Sequence, residues 1–395
     1  PAVSLLSNFN NPLRGQVSVM KNYFIAAFCA FSALSAGANS PFISEVFDYV
    51  PAPGQFIHLI PEVTDGMSRE QVLEAAARQL VGDERPGMVS LGAFGGYIVF
   101  GFDHPIANVE GEYDFKIYGN AMKMFGSGAD TSAEPGIVMV SVDTNGNGIP
   151  DDEWFEMRGS AHDKAFANFT IRYSRPSQTE TAENIEWTSN DPDSPSGIIT
   201  LNDFHSQSYW PGWIEGDVIE FSGTRLPANA VSENGIWTLV PFDWGYADNR
   251  PDFVNVNGNM EPNPEAPGFN IDNAVDADGN RVRLTAIDFV KVYTAVNQTC
   301  DFLGETSTEI CGARDLHFVA SLTDVSAAVE PLRLSGRSLV VTVGSAACAE
   351  VYNVAGQRVV CSDCAAGRTE IDLSALPAGI YVARAAGSAM TMALR

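Results

Sequence analysis

The chain has 395 residues, 23 of them Lys or Arg and 49 Asp or Glu, for a formal charge of −26. With 45% apolar residues it can bury a sizeable core, and at roughly 100–200 residues per domain it divides into two or three folded units. The acidic excess excludes a nucleic-acid partner, whose duplex demands a dense Lys/Arg footprint, and opposes docking on an anionic membrane; divalent cations and neutral ligands remain compatible with it.

Residues 1–19 read as translated upstream sequence, with Met20 as the start. Met20-Lys21-Asn22 opens a positive segment, an apolar run follows from Tyr23 to Leu34, and small residues close it as Ala36-Gly37-Ala38. That order predicts a secretory signal peptide over 20–38 and an extracellular or outer-surface location. The run is shorter than the ~20 apolar residues of a spanning helix, and no other stretch approaches that length, so no integral membrane span is expected in the mature chain.

From 39 to 325 strands and turns dominate. Ser68 and Gln71 form a capping-box pair ahead of Val72, Leu73, Ala76 and Leu80 at helical spacing, which predicts one short helix. Met88–Phe102 is rich in Val, Ile, Tyr and Phe, with a turn or bulge at Gly95-Gly96; Tyr113–Tyr118 alternates apolar and polar residues; Gly136–Val142 is a continuous apolar run suited to a central strand. Further strands are expected at 169–173, 197–201, 217–222, 235–240, 287–294 and 316–320. One helix among many strands predicts an all-β fold, a jelly-roll-like β-sandwich. A break falls near 322–333, and 334–395 reads as about six short strands, a small immunoglobulin-like β-sandwich.

Five cysteines follow the leader: Cys300, Cys311, Cys348, Cys361 and Cys364. Export permits disulfides. Cys300 and Cys311 are spaced to close a small loop; Cys361 and Cys364 have C-x-x-C spacing without a βαβ context or second ligand pair, which leaves a local disulfide or free thiols. The odd count leaves one thiol over.

Val351–Gln357 (VYNVAGQ) followed by Ile371–Val382 (IDLSALPAGIYV) resembles the C-terminal sorting domain of the Bacteroidetes type IX secretion system. The resemblance covers about sixty residues and implies export across both membranes by the type IX machinery, then removal of this domain on attachment of the body. The ending, Met390 to Arg395, is less basic than in the family. More loosely, Gly95–Asp103, Gly111–Asn120 and Glu134–Val142 resemble Bacteroidetes cell-surface β-sandwich families. These sit beside outer-membrane uptake systems, and some relatives in that setting handle cobalamin or glycans.

Asp143-Thr-Asn145-Gly-Asn147-Gly-Ile149-Pro-Asp151-Asp152-Glu153 places oxygen-bearing side chains at alternate positions with glycines for a sharp turn. Calcium takes six to eight oxygens, and this pattern offers Asp143, Asn145, Asn147, the carbonyl of Ile149 and Asp151, with Asp152 or Glu153 completing the shell. Trp154 stands where a helix–loop–helix site needs Glu, so the expectation is a calcium lasso between strands; an Asn/Gly turn is the alternative. Asp276-Ala-Asp278-Gly-Asn280 is read as an ordinary turn. Two aromatic stretches, one with His205, Tyr209, Trp210 and Trp213 and one with Trp244 and Tyr246, are the candidate binding faces for a glycan or similar nutrient ligand; capping of the core is the alternative. No nucleophile elbow, zincin, P-loop or kinase pattern occurs. The leading expectation is a calcium-braced surface binding protein; the others are a glycan- or peptide-directed hydrolase on the same sandwich, and a structural surface protein.

Overall fold

A computed structural model describes residues 40–64, 66–123, 132–300, 304–318, 332–343, 346–354, 357–385 and 388–394. The upstream segment, the signal peptide and the break at 322–331 lie outside the described residues.

The fold is all-β. Its body centres on a six-stranded antiparallel sheet in the order Glu45–Val50, Tyr97–Ala107, Ala286–Thr294, Gly136–Ser141, Trp154–Met157, Ala274–Val275. Val290 of the middle strand pairs with Phe100 on one side and Val140 on the other. Alternate residues leave opposite faces of a strand, and here both faces are covered. Ile98, Phe100, Val138, Val140, Val290 and Val292 join one apolar cluster with the helix residues Val72, Ala76 and Leu80. Ile137, Met139 and Tyr293 face a second cluster with Phe169, Ile171, Tyr173, Ile219 and Phe221. Those last five belong to a four-stranded sheet ordered Val218–Arg225, Phe166–Ser174, Ile185–Ser189, Ser196–Ile199. Burial on both faces is why the central strands read as unbroken apolar runs.

The helix spans Arg69–Leu80, as the capping box predicts: Ser68 Oγ accepts the Gln71 N–H at 3.3 Å, and Gln71 Oε1 accepts the Ser68 N–H at 2.9 Å. Among the described residues it is the only α-helix.

Within Met88–Phe102 the chain turns between Val89–Ser90 and Tyr97–Ala107, where the turn or bulge at Gly95-Gly96 was expected. Gly92 holds a φ of +70°, and a Cβ there would stand 2.1 Å from the Ala52 carbonyl oxygen, so only glycine fits. One strand expectation shifts: 316–318 are not strand, 319–320 lie outside the described residues, and the strand lies earlier, at Gly312–Asp315, where Asp315 pairs with Phe115.

Residues 332–394 form two further sheets, ordered Leu332–Ser335, Ser338–Val343, Gly367–Asp372 and Arg358–Cys364, Ala347–Asn353, Gly379–Ala385, Ser388–Leu394. Among the described residues seven strands stand where about six were expected, Leu332–Ser335 being the addition. Leu339, Val341, Val351, Ile371 and Ala383 meet between the sheets. The VYN motif ends the strand Ala347–Asn353, and Asn353 receives the Gln357 N–H on its side-chain oxygen at 3.0 Å, which closes the turn.

Candidate functional site

A cavity of about 660 Å³ opens where three stretches distant in sequence meet: the strand Phe115–Tyr118, the loop 243–252 and the loop 264–270. Lys116 is the one charged residue of an otherwise apolar strand, and its ammonium is buried. Nζ donates to the Ala266 carbonyl at 2.9 Å and lies 3.3 Å from Asp252 Oδ1. Asp252 Oδ2 in turn accepts the Gly119 N–H at 2.9 Å. Burial pushes the Asp252 carboxyl above its ordinary range, and Lys116 and the Gly119 N–H oppose that push. Arg250 pairs with Glu265 at 3.0 Å and Arg158 with Asp163 at 2.8 Å, so the three cations lining the cavity are each met by a carboxylate, while Asp243 and Asp248 add acidic groups to the lining.

Tyr113 and Trp244 form the exposed rim; the Trp244 side chain is 46% exposed. The turn that carries Trp244 is tied down by reciprocal bonds, the Ser160 N–H to the Trp244 carbonyl at 3.0 Å and the Asp243 N–H to Ser160 Oγ at 3.1 Å. Tyr246 turns inward beneath it, its hydroxyl accepting the Ala161 N–H at 3.0 Å. A Cβ at Gly159 would lie 2.4 Å from the Tyr246 ring, so glycine sets how closely these two loops approach.

The aromatic expectation is therefore divided. Trp244 and Tyr246 line the cavity; His205, Tyr209, Trp210 and Trp213 do not. Trp210 and Tyr209 are 0% and 1% exposed, inside the cluster between the two sheets, and present no face to solvent. Trp213 packs against the cluster on the opposite face of the six-stranded sheet, its ring 5.1 Å from His58. His205 lies edge-on to Phe56 at 4.6 Å. Rings of this size bury 150–250 Å² each, and that gain draws them inward even from a Pro-Gly turn. Lys116, Asp252, Arg250 and Tyr113 escaped the sequence reading; the solitary lysine in Phe-Lys-Ile-Tyr is the signal that marks them.

The loop 143–153 connects two neighbouring antiparallel strands, Gly136–Ser141 and Trp154–Met157. Asp143 Oδ1 accepts the Gly146 N–H at 2.8 Å and Oδ2 accepts the Gly148 N–H at 2.8 Å. The side-chain amides of Asn145 and Asn147 donate to Asp151, at 3.0 and 3.1 Å, while their Oδ1 oxygens accept the N–H groups of Asn147 and Ile149. Four of the expected ligands are thus linked by hydrogen bonds within one turn. The others do not join them: Asp152 receives the Thr144 N–H and hydroxyl, the Ile149 carbonyl is taken by the Asp151 N–H at 2.8 Å, and the Glu153 carbonyl accepts from Ser141 Oγ at 2.8 Å. Asp143, Asn145, Asn147 and Asp151 carry oxygens of the kind calcium takes, and here those oxygens accept the hydrogen bonds of the turn.

Behind the cavity lies an acidic cluster. Glu134, Asp248 and Glu309 each bring one oxygen within 4.8 Å of the others. Asp248 sits at a left-handed φ of 49°, and its Oδ1 accepts the N–H groups of Asn120 and Ala121 at 2.7 and 2.8 Å. Ser307 caps both glutamates, with Oγ to Glu309 at 2.5 Å and N–H to Glu134 at 3.3 Å. Burial, reinforced by the neighbouring Glu309 carboxylate, holds Glu134 and Asp248 well above the ordinary carboxyl range. Burial raises Glu309 to about 7 and the nearby Glu305 to about 8. Like charges this close are offset by shared protons or by a cation.

No helix among the described residues is long and apolar enough to cross a membrane. No family model and no curated protein matches the chain. A solved pullulanase from Bacillus acidopullulyticus is similar at 11% identity and a TM-score of 0.13, over 79% of this chain and 34% of that one, a likeness too slight to carry an argument.

Proposed function

We propose that this chain is an exported, surface-displayed binding protein whose body takes a neutral, hydroxyl-rich ligand, a glycan, in the cavity rimmed by Trp244 and Tyr113. The observation that carries this reading is the half-exposed Trp244 ring above a polar wall whose cations are already paired, Lys116 with Asp252 and Arg250 with Glu265. An aromatic face suits the apolar side of a sugar ring, and a wall that offers polar groups but no free cation suits its hydroxyl groups. The volume of about 660 Å³ falls in the usual range for small-ligand sites. The same pairing weighs against hydrolysis, since Asp252 and Glu265 are committed to cations rather than free to pass protons.

Calcium bound by Asp143, Asn145, Asn147 and Asp151 braces the hairpin at the end of the central sheet. Export rests on the signal-peptide pattern and on the resemblance of 351–382 to the type IX sorting domain. Tryptophan fluorescence titrated with a panel of glycans and corrinoids tests the binding reading: saturable quenching by a glycan, lost in Trp244→Ala, supports it, and quenching unchanged by that substitution rejects this cavity as the site.

A further inference from the structure

We propose that Cys348 and Cys361 form a reversible disulfide that staples the hairpin of Ala347–Asn353 and Arg358–Cys364. In its register Cys348 lies opposite Asp363 and Cys361 opposite Glu350, so the two cysteines are diagonal neighbours on one face. Their sulfurs are 3.0 Å apart, about 1 Å beyond bonding distance. Both are exposed, whereas Cys300, Cys311 and Cys364 are buried.

This pairing differs from both combinations that the spacings suggest. Cys361 and Cys364 occupy one strand three residues apart, which puts them on opposite faces; Cys364 turns into the core and contacts the Ser362 carbonyl. Cys300 packs with Ala133 and Leu239, while Cys311 sits beside Arg85.

Glu350 also lies within 4.8 Å of both sulfurs, which makes a thiophilic metal ion the competing occupant. Its carboxylate, however, is already held by Arg358 at 2.5 Å and by the Tyr352 hydroxyl at 2.7 Å.

The chemistry is thiol–disulfide exchange with an oxidised dithiol or glutathione. One thiolate of the pair attacks a glutathione disulfide sulfur, forming a mixed disulfide and expelling one glutathione thiolate. The second thiolate attacks the protein sulfur of that mixed disulfide, closes the Cys348–Cys361 bond and expels the other glutathione. Two electrons pass to the glutathione disulfide, and the two protein thiol protons pass through solvent to the two departing thiolates. The shared hydrogen bond with Cys361 raises the Cys348 thiol to about 11, so closure accelerates with rising pH. The supply of an oxidant in the cell rests on the exported reading, because a reducing cytosol keeps such thiols open; the geometry does not.

The test uses the purified full chain in glutathione redox buffers, followed by alkylation and peptide mapping without reduction. The expected product is one cross-linked peptide pair containing Cys348 and Cys361, retained in Cys364→Ser and absent from Cys348→Ser. On reduction, protection of this hairpin falls, with a melting shift on the order of 10 °C for a loop of this size in a small domain. Glutathione adducts on both sulfurs, or zinc that co-purifies and shields both until chelated, overturn the pairing. A bond that closes in the redox buffer but is found open in chain taken directly from cells upholds the pairing and counts against export instead.

Discussion

The Glu309 N–H donates to Asp248 Oδ2 at 2.9 Å, while the carboxyl groups of the same two residues lie within 4.8 Å of each other. The backbone of one acid thus stabilises the charge on the other, as their side chains compete to stay ionised. Glu309 titrates at about 7 and Glu305 at about 8, above the ordinary 4.5, so the native state holds protons that the unfolded chain has released. Where the native state binds more protons, stability falls as pH rises. The expected result is a melting temperature highest near pH 4.5 as regards these groups and declining through pH 7–8, with Glu309→Gln flattening that decline. Thermal melts at closely spaced pH values check this, and a profile that rises toward pH 8 in both proteins contradicts it.

The two tryptophans Trp210 and Trp244 should behave oppositely. Trp210 is wholly buried, and Trp210→Ala is expected to lose about 3–5 kcal/mol of stability. Trp244 is half-exposed, so Trp244→Ala should cost under about 1 kcal/mol yet weaken glycan binding tenfold or more. Denaturant melts and fluorescence titration on the same preparations separate the two effects.

Lys116 and Asp252 form the buried pair in the cavity wall. Lys116→Met strands the Asp252 carboxylate, and removing one partner of such a pair costs about 3–5 kcal/mol. Lys116→Met combined with Asp252→Asn should recover much of that loss, which a double-mutant cycle in urea measures directly.

If calcium holds the 143–153 hairpin, EDTA lowers the melting temperature and excess calcium restores it, by about 2.7 kcal/mol at a hundredfold excess over Kd. Asp143→Ala should abolish the calcium response. Because the Asp143 carboxylate also accepts three backbone N–H groups, that variant should also melt lower in EDTA than the parent; a calcium response that survives the substitution excludes this loop.

Periodic features were the legible ones. The capping box at Ser68–Gln71, the apolar runs 136–142 and 287–294, and the strands 338–343 and 379–385 follow from local pattern alone, and the chain forms them within a residue or so. The cavity was hidden because its walls come from residues near 116, 158, 246 and 266, which only long-range packing brings together. Which aromatics face solvent and which cap the core is open in the sequence for the same reason: a Pro-Gly turn indicates a change of direction, not the side on which Trp210 falls. The acids Glu134, Asp248 and Glu309 look like surface charges in sequence, since nothing local marks a carboxylate that the fold will enclose.

Val290 and its neighbours in Ala286–Thr294 are hydrogen-bonded along both edges of the strand and covered on both faces. Their amide protons have no shallow route to solvent, so deuterium should enter this strand only when the whole body opens. Exchange at these positions therefore reads the global free energy of the body, separately from whatever fluctuates at the rim around Trp244.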